Sequence, residues 1–219
     1  MIKYVIFDKD GTLLDTEKLY KKAWFRASED WGLSNPEALY PRLVGRGENY
    51  IVDIMKEVYG EGRDYWPFFE LRNVYLREYI EQEIPLKPGC IEILDFLKEN
   101  GIKMALATSA RREMAHANLK RVGIYDRFDA IVTGDMIERG KPNPDIFLLA
   151  GELIGADPSQ TIVCEDSYTG IIGASKAGMK PFFVIDQLEA SEEIKPLTYA
   201  IGNSLFDVIE QIKKENNII

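Results

Sequence analysis

The spacing of apolar residues changes twice along the chain. The first run, residues 3–7, is short, apolar and β-branched, and it leads into acidic residues and Gly11, which predicts a buried strand. Between residues 15 and 82, apolar side chains recur every three or four positions, the period of an amphipathic helix. One such helical face consists of Tyr20, Ala23, Trp24, Ala27 and Trp31. This long middle segment is therefore predicted to be helical.

After Pro85, short apolar runs alternate with helical patterns. The runs that predict strands cover residues 102–107, 130–133, 161–164 and 181–185. Helical faces lie between these runs and after the last one. Apolar strands that alternate with helices favour a parallel sheet covered on both faces. The predicted fold class is therefore α/β, with a doubly wound parallel-sheet core of the Rossmann-like kind.

The first predicted strand is separated from the other strands of its sheet by the helical segment. The economical domain organisation has a discontinuous α/β catalytic core, residues 1–14 and 83–219, and an inserted all-helical cap domain, residues 15–82. The sequence contains no internal repeat or low-complexity tract that would divide it further. We therefore expect two domains, of which one interrupts the other.

Charge narrows the classes of partner. The net charge of −9 argues against nucleic-acid binding, because a DNA-binding surface needs clustered lysine and arginine residues. A small phosphorylated substrate remains compatible with this charge, since a divalent cation can reverse the local field. The sequence shows neither a signal-peptide core nor an apolar run long enough for a membrane span. We expect a cytoplasmic protein, a monomer or weak homodimer, without membrane or nucleic-acid partners.

Polar side chains follow the predicted strands at the points where the strands end. In a parallel sheet, functional residues collect at the carboxyl edge. The candidates are Asp8 and Asp10 after the first strand, Thr108 and Ser109 after the second, Glu165 and Asp166 after the fourth, and Lys141 in a loop that enters a helix. Four separate segments thus bring carboxylates, hydroxyls and one ammonium group to a single edge.

These side chains suit phosphoryl transfer. A carboxylate can attack phosphorus and form an aspartyl-phosphate, which divides one difficult displacement into two steps. A phosphate dianion repels the attacking carboxylate, so the reaction needs a cation, and Mg²⁺ prefers oxygen ligands. Lys141 and the hydroxyls of Thr108 and Ser109 would bind the phosphoryl oxygens. Asp8 and Asp10 are two positions apart and face the same side of an extended chain.

Four short motifs resemble the signatures of the haloacid dehalogenase superfamily. In chain order they are Phe7-Asp8-Lys9-Asp10-Gly11-Thr12-Leu13, Thr108-Ser109, Lys141-Pro142 and Glu165-Asp166-Ser167. They occur in the order of that superfamily, at the ends of predicted strands. The helical insertion after the first motif resembles the type 1 cap of the phosphatase and β-phosphoglucomutase branch of subfamily I.

The resemblance implies a role for each motif residue. Asp8 would be the nucleophile, and Asp10 would act as general acid and then as general base. The main-chain carbonyl of Asp10 and the side chains of Asp8 and Asp166 would coordinate Mg²⁺, with Glu165 as a further acidic metal contact. Dehalogenases of the superfamily use the same nucleophile without a metal, but the second aspartate and the Glu165-Asp166 pair favour phosphoryl chemistry. The implied activity is a magnesium-dependent phosphatase of a small phosphorylated metabolite, for which a sugar phosphate is the expectation.

A β-phosphoglucomutase-like mutase is the nearest alternative. In that branch a cap histidine follows the first motif, and a Gly-x-x-Arg loop binds the distal phosphate. Here Tyr20 stands at the histidine position, and the loop has Glu48 in place of the arginine, with Arg46 two residues earlier. Thr12 is also the more usual residue in the phosphatases. Tyr20, Arg46 and Trp24 are candidate substrate contacts of the cap, although the same residues could serve packing alone.

A regulatory module of a different class also combines these residue types. Receiver domains place aspartates, Thr or Ser, and Lys on a doubly wound sheet. Their phosphoacceptor ends a later strand, however, and they lack the first motif and the helical insertion. Steady turnover with magnesium would separate an enzyme from a receiver or from a phosphate-binding protein without activity.

Overall fold

The computed structural model describes residues 1–44 and 48–218. Two compact units are present: Met1–Asp15 together with Pro85–Ile219, and Thr16–Ile84. The boundaries given by the sequence lie after residue 14 and before residue 83. The assignment of these units as a catalytic core and a cap domain stays a prediction.

Within the described residues, the first unit contains a parallel sheet of six strands in the order β3-β2-β1-β4-β5-β6. The strands are β1 Tyr4–Phe7, β2 Lys103–Thr108, β3 Ala130–Thr133, β4 Thr161–Glu165, β5 Lys180–Val184 and β6 Ala200–Gly202. The first five agree with the predicted runs to within one residue at each end. The predicted α/β class with its parallel, Rossmann-like sheet is confirmed.

The sequence analysis missed β6. This edge strand has three residues, and Ile201 at its centre is 41% exposed. A segment so short does not show the period of a strand, and its central residue lacks the burial that an apolar run signals. Pairing with β5, for example between Phe182 and Ala200, defines it instead.

Helices cover the sheet of the first unit and form most of the second. Their bounds are α1 Glu17–Trp31, α2 Pro36–Leu39, α3 Glu48–Tyr59, α4 Trp66–Gln82, α5 Cys90–Glu99, α6 Arg112–Arg121, α7 Asp145–Ile154, α8 Tyr168–Lys176 and α9 Leu205–Asn216. In α7, Ile146, Phe147 and Ala150 are fully buried and belong to one cluster with residues of β1 and β2. No helix in the described ranges is both long and apolar enough to cross a membrane.

The second unit has its own apolar core. Trp24 of α1 and Phe68 of α4 meet edge to face, with ring centroids 4.8 Å apart. Met55 of α3 is fully buried in the same cluster. The helical period of the middle segment therefore reflects a helical bundle that buries one face of each of these helices.

The centre of the sheet fixes the position of the motifs. β1 pairs with β2 on one side and with β4 on the other, so the strand order reverses direction at β1. The register sets Phe7 opposite Cys164, and the amide of Asp8 donates to the Cys164 carbonyl at 3.0 Å. Loops diverge at such a switch point and leave a crevice at the carboxyl ends of the strands. Asp8 and Glu165 are thus neighbours across adjacent strands.

Ile6 of β1 provides a test of the sheet core. Ile6→Ala is expected to reduce the free energy of unfolding by about 2–5 kcal/mol, because the side chain is fully buried and its removal leaves a cavity. Ile91→Ala is the matched control, since Ile91 is 37% exposed, and it should change stability by no more than about 0.5 kcal/mol. Urea unfolding measures both values. Equal losses would contradict the placement of β1 at the centre of the core.

Candidate active site

Lys141 joins the ends of three adjacent strands. Its Nζ lies 2.5 Å from Oδ1 of Asp8, which follows β1, and 2.6 Å from Oε1 of Glu165, which ends β4. The same nitrogen donates to the carbonyl of Ala107 in β2 at 3.2 Å. The Lys141 side chain is only 6% exposed. The structure therefore brings Asp8, Lys141 and Glu165 together, and the geometry around Lys141 is that of a buried three-way junction.

One ammonium group faces two carboxylates in this junction, and the charges are unevenly offset. Burial raises the pKa of Asp8 to about 7; Lys141 opposes this rise, whereas Glu165 and Asp10 add to it. Burial disfavours the charged form of Lys141, but Asp8 and Glu165 outweigh it and raise the pKa of the lysine. Lys141 therefore stays protonated, and the excess negative charge would favour a cation or a proton near Asp8.

Glu165 is held on both of its oxygens. While Oε1 accepts from Lys141, Oε2 accepts from the amide of Ser167 at 2.9 Å and from its hydroxyl at 2.8 Å. The Ser167 hydroxyl in turn accepts from the Gly170 amide at 3.0 Å and so caps α8. A Cβ at Gly170 would lie 1.9 Å from Glu165 Oε1. These contacts give Glu165 the task of positioning Lys141, and its predicted contact with a metal stays a prediction.

Asp10 has a basic neighbour that the sequence analysis missed. Lys9 is 1% exposed, and its Nζ lies 2.8 Å from Oδ1 and 2.7 Å from Oδ2 of Asp10. Strand alternation places residue 9 opposite residues 8 and 10, but the long lysine side chain folds back to its neighbour. A signal existed in the sequence, since a lysine between an apolar strand and an apolar turn needs a charged partner when it is buried.

Asp166 lies against the loop of the first motif. Gly11 has a φ of 78°, and a Cβ built on it would be 2.1 Å from Oδ2 of Asp166. The hydroxyl of Thr12 donates to Oδ1 of Asp166 at 3.2 Å. Glycine is therefore required at position 11 both for its backbone conformation and for the close approach of a carboxylate. Two predicted metal ligands, Asp8 and Asp166, thus flank the loop that carries the third, the carbonyl of Asp10.

The donor atoms at this loop fit a hard divalent cation. Asp8 and Asp166 offer carboxylate oxygens, and Asp10 offers a main-chain carbonyl oxygen. Within residues 1–44 and 48–218, no three His, Cys, Asp or Glu side chains form a ready-made metal cluster. A cation here would complete its shell with water and substrate oxygens, as Mg²⁺ does in phosphoryl-transfer sites. The oxygen-only donors and the excess negative charge near Asp8 both suit magnesium.

The predicted phosphate ligands of the second motif lie at the same edge of the sheet. Thr108 is buried at the end of β2, and its Oγ1 accepts from the Ala110 amide at 3.2 Å. As acceptor in that bond, the hydroxyl keeps its own proton for donation to an anion. Ser109 is exposed, and its carbonyl is so close to Gly134 that a Cβ there would lie 2.4 Å away.

The candidate substrate contacts of the second unit have different outcomes. Tyr20 lies on α1, half-buried, with the guanidinium carbon of Arg72 5.9 Å from its ring centroid. Trp24 is buried one turn further along the same helix. Arg46 lies outside the described residues. Both Tyr20 and Trp24 line one cavity of the second unit, together with Arg72 and Glu48.

The raised pKa of Asp8 predicts how stability depends on pH in the absence of divalent cations. The carboxyl has a pKa of about 7 when folded and an ordinary value of 3.8, so the folded state binds the proton more tightly. This contribution to stability is fully present below pH about 4 and is lost as the pH rises through about 7.

Asp8→Asn removes that proton linkage. The melting temperature of the variant relative to the parent should therefore rise between pH 5 and pH 8, when both are measured by scanning calorimetry with chelator. Asp53→Asn, an exposed aspartate of α3, is the matched control and should follow the parent. Parallel curves for Asp8→Asn and the parent would contradict the raised pKa.

Comparison with known proteins supports the motif assignment. The family model described as haloacid dehalogenase-like hydrolase matches residues 2–178. A phosphorylated carbohydrates phosphatase of Thermotoga maritima is 37% identical, over 82% of this chain and 83% of its own length. The fructose-1-phosphate phosphatase YqaB of Escherichia coli is 32% identical, over 80% of this chain and 92% of its own.

A solved structure gives the same result for the fold. The crystal structure of a Thermotoga maritima protein, provisionally assigned as a β-phosphoglucomutase, superposes with a TM-score of 0.81 and 31% identity. The match covers 96% of this chain and all of that one. Sequence motifs, sheet topology and relatives agree. The chain belongs to the haloacid dehalogenase-like hydrolase family, in the branch that contains phosphatases and β-phosphoglucomutase-like proteins.

Proposed function

We propose that the chain is a magnesium-dependent phosphomonoester hydrolase that acts on a small phosphorylated metabolite, a sugar phosphate, through an aspartyl-phosphate on Asp8. The observation that carries this proposal is the junction in which Lys141 holds Asp8 beside Glu165 at the switch point of the sheet. Phosphatases of phosphorylated carbohydrates among the relatives support the substrate class.

In the first step, an oxygen of Asp8 attacks the phosphorus atom, and the bond from phosphorus to the sugar oxygen breaks. Asp10 donates its proton to that leaving oxygen. Lys141 and Thr108 bind the non-reacting phosphoryl oxygens and offset their charge as the bond forms. Magnesium, when held by Asp8, Asp166 and the carbonyl of Asp10, supplies the positive charge that lets a carboxylate approach a phosphate dianion.

In the second step, Asp10 is a carboxylate and accepts a proton from a water molecule. That water attacks the phosphorus of the aspartyl-phosphate, inorganic phosphate leaves, and the Asp8 carboxylate is restored. Lys141 keeps its pairing with Glu165 throughout, which fixes the ammonium while the charge on Asp8 changes. Lys9 would fix the orientation of Asp10 in both steps, because its ammonium contacts both oxygens of that carboxylate.

We propose that the second unit acts as the cap and contacts the part of the substrate that carries no reacting atoms, with Tyr20 among the contacts. A mutase reaction of the β-phosphoglucomutase kind is the second candidate, favoured by the likeness to the Thermotoga maritima structure. Glu48 at the position of the distal-phosphate arginine favours the hydrolase instead. The cytoplasmic location and the monomer or weak homodimer stay predictions.

Phosphate release from a panel of sugar monophosphates tests the proposed reaction. The parent protein should release phosphate with magnesium and not with chelator, and Asp8→Asn should reduce kcat by about 10³-fold or more, since the nucleophile is lost. Asp53→Asn serves as the carboxylate control. The panel includes β-glucose 1-phosphate, with glucose 6-phosphate measured separately. Glucose 6-phosphate without free phosphate would make the protein a mutase, and full activity of Asp8→Asn would exclude the covalent mechanism.

Lys9→Met tests the positioning of Asp10. The side chain is buried, so methionine should preserve the fold, and replacement of a buried charge by an apolar group of similar volume is often neutral for stability. Turnover should fall by about 10²-fold with little change in KM, because general acid–base catalysis contributes about that much. Lys9→Arg, which can still contact the carboxylate, should recover part of kcat. Unchanged kcat in Lys9→Met would remove Lys9 from the mechanism.

A further inference from the structure

The second unit contains a cavity of about 360 Å³ between α1, α3 and α4. We call it the bundle cavity. Its lining combines aromatic, charged and amide side chains, among them Tyr20, Trp24, Tyr40, Glu48, Arg72 and Asn73. A volume of this size lies within the range of small-molecule sites, which are mostly apolar with a few placed polar groups.

Two buried donors of the bundle cavity lack acceptors. Nε of Arg72 and Nε1 of Trp24 have no hydrogen-bond partner among the described residues, although Arg72 is 8% exposed and Trp24 is 3% exposed. A buried donor without a partner costs about 1–3 kcal/mol, and such groups are rare in folded proteins. Two of them in the lining of one cavity indicate that a bound molecule supplies the acceptors.

The charge of Arg72 is already offset within the protein. Nη2 of Arg72 donates to Oε1 of Glu48 at 2.6 Å and to Oδ1 of Asn73 at 2.7 Å. The Arg72 side chain in this ion pair is 10% exposed, whereas Glu48 is 46% exposed. The cavity therefore offers donors and acceptors without a net positive charge. A second phosphate group would meet the carboxylate of Glu48, and this repulsion would oppose its binding.

The chemistry of the lining matches a polyhydroxylated ring without charge. Its hydroxyl oxygens can accept from Nε of Arg72 and Nε1 of Trp24, and its hydroxyl protons can be donated to Glu48. The C–H face of such a ring is apolar and packs on aromatic side chains such as Tyr20 and Tyr40. An aryl or alkyl group offers none of these hydroxyls and would leave the same donors unpartnered.

We propose that the bundle cavity binds the uncharged polyol part of a sugar monophosphate and that Glu48, paired with Arg72, excludes sugars with a second phosphate. The proposal rests on the proposed hydrolase function and adds the substrate class: monophosphates of neutral sugars in preference to bisphosphates. Glu48 and Arg72 are then specificity residues that contact the substrate away from the phosphorus atom.

The test compares three substrates and three variants. The substrates are glucose 6-phosphate, fructose 1,6-bisphosphate and p-nitrophenyl phosphate, which has no sugar hydroxyls. Glu48→Gln removes the charge and Arg72→Met removes the donors. Glu70→Gln, an exposed glutamate of α4, is the control. Melting temperatures establish that each variant is folded.

The expected result is a change of specificity without a general loss of activity. Glu48→Gln should raise kcat/KM for the bisphosphate relative to the monophosphate by about tenfold or more, because the repulsive charge is gone. Arg72→Met should lower kcat/KM for glucose 6-phosphate by about tenfold and leave p-nitrophenyl phosphate unchanged. An unchanged substrate ratio in the folded Glu48→Gln variant would overturn the proposal, as would equal losses for all three substrates in folded Arg72→Met.

Binding separates this proposal from the proposed hydrolase function. Calorimetry with Asp8→Asn, which does not turn over its ligand, should detect glucose 6-phosphate, and the added Arg72→Met change should weaken its binding about tenfold. Binding that depends on Arg72 in a parent protein that releases no phosphate would support the bundle cavity and count against the hydrolase. Phosphate release with glucose 6-phosphate binding that ignores Arg72 and Glu48 would overturn the cavity proposal alone.

Discussion

The ammonium group of Lys141, shared between Asp8 and Glu165, is the constraint on which the site depends. Buried charges are tolerated only when they are paired and hydrogen-bonded, so the three side chains cannot separate without a large cost. Asp8 follows β1, Glu165 ends β4, and Lys141 comes from the loop before α7. The pairing of β1 with both β2 and β4 is what brings these segments within hydrogen-bond distance. The sheet order and the chemistry of the site are thus one arrangement.

Space for this junction comes from glycine residues rather than from flexible side chains. Gly170 leaves room for the Glu165 carboxylate, and Gly11 leaves room for that of Asp166. Each carboxylate approaches a backbone so closely that any side chain there would overlap it. Ser167 then closes the arrangement, because it donates to Glu165 and accepts from the first turn of α8. Acidic residues, glycines and one helix cap therefore depend on each other.

Much of this arrangement follows from local pattern, and the remainder depends on tertiary contacts. Five strands were accessible because each is a short apolar run, and the motif residues stand at their ends. The pairing of Lys9 with Asp10 was not accessible, since alternation predicts opposite faces and only the folded side chain shows the return. The roles of Ser167 and Gly170 depend on where the Glu165 side chain lies. β6 depends on pairing with β5, which no local period encodes.

Charge gives the two units different tasks. In the first unit the excess of carboxylates over the single ammonium of Lys141 requires an added cation, which suits a phosphate dianion. In the second unit, Arg72 and Glu48 cancel each other and leave directional donors without a net field. A phosphate would be attracted to the first unit once a cation is bound, but it would gain nothing from a neutral ion pair. Orientation of a monophosphorylated sugar then follows from charge alone: its phosphate belongs with Asp8 and its hydroxyls with Arg72. A mutase needs both ends of its bisphosphate intermediate to be bound as anions, and the Arg72–Glu48 pair opposes that requirement.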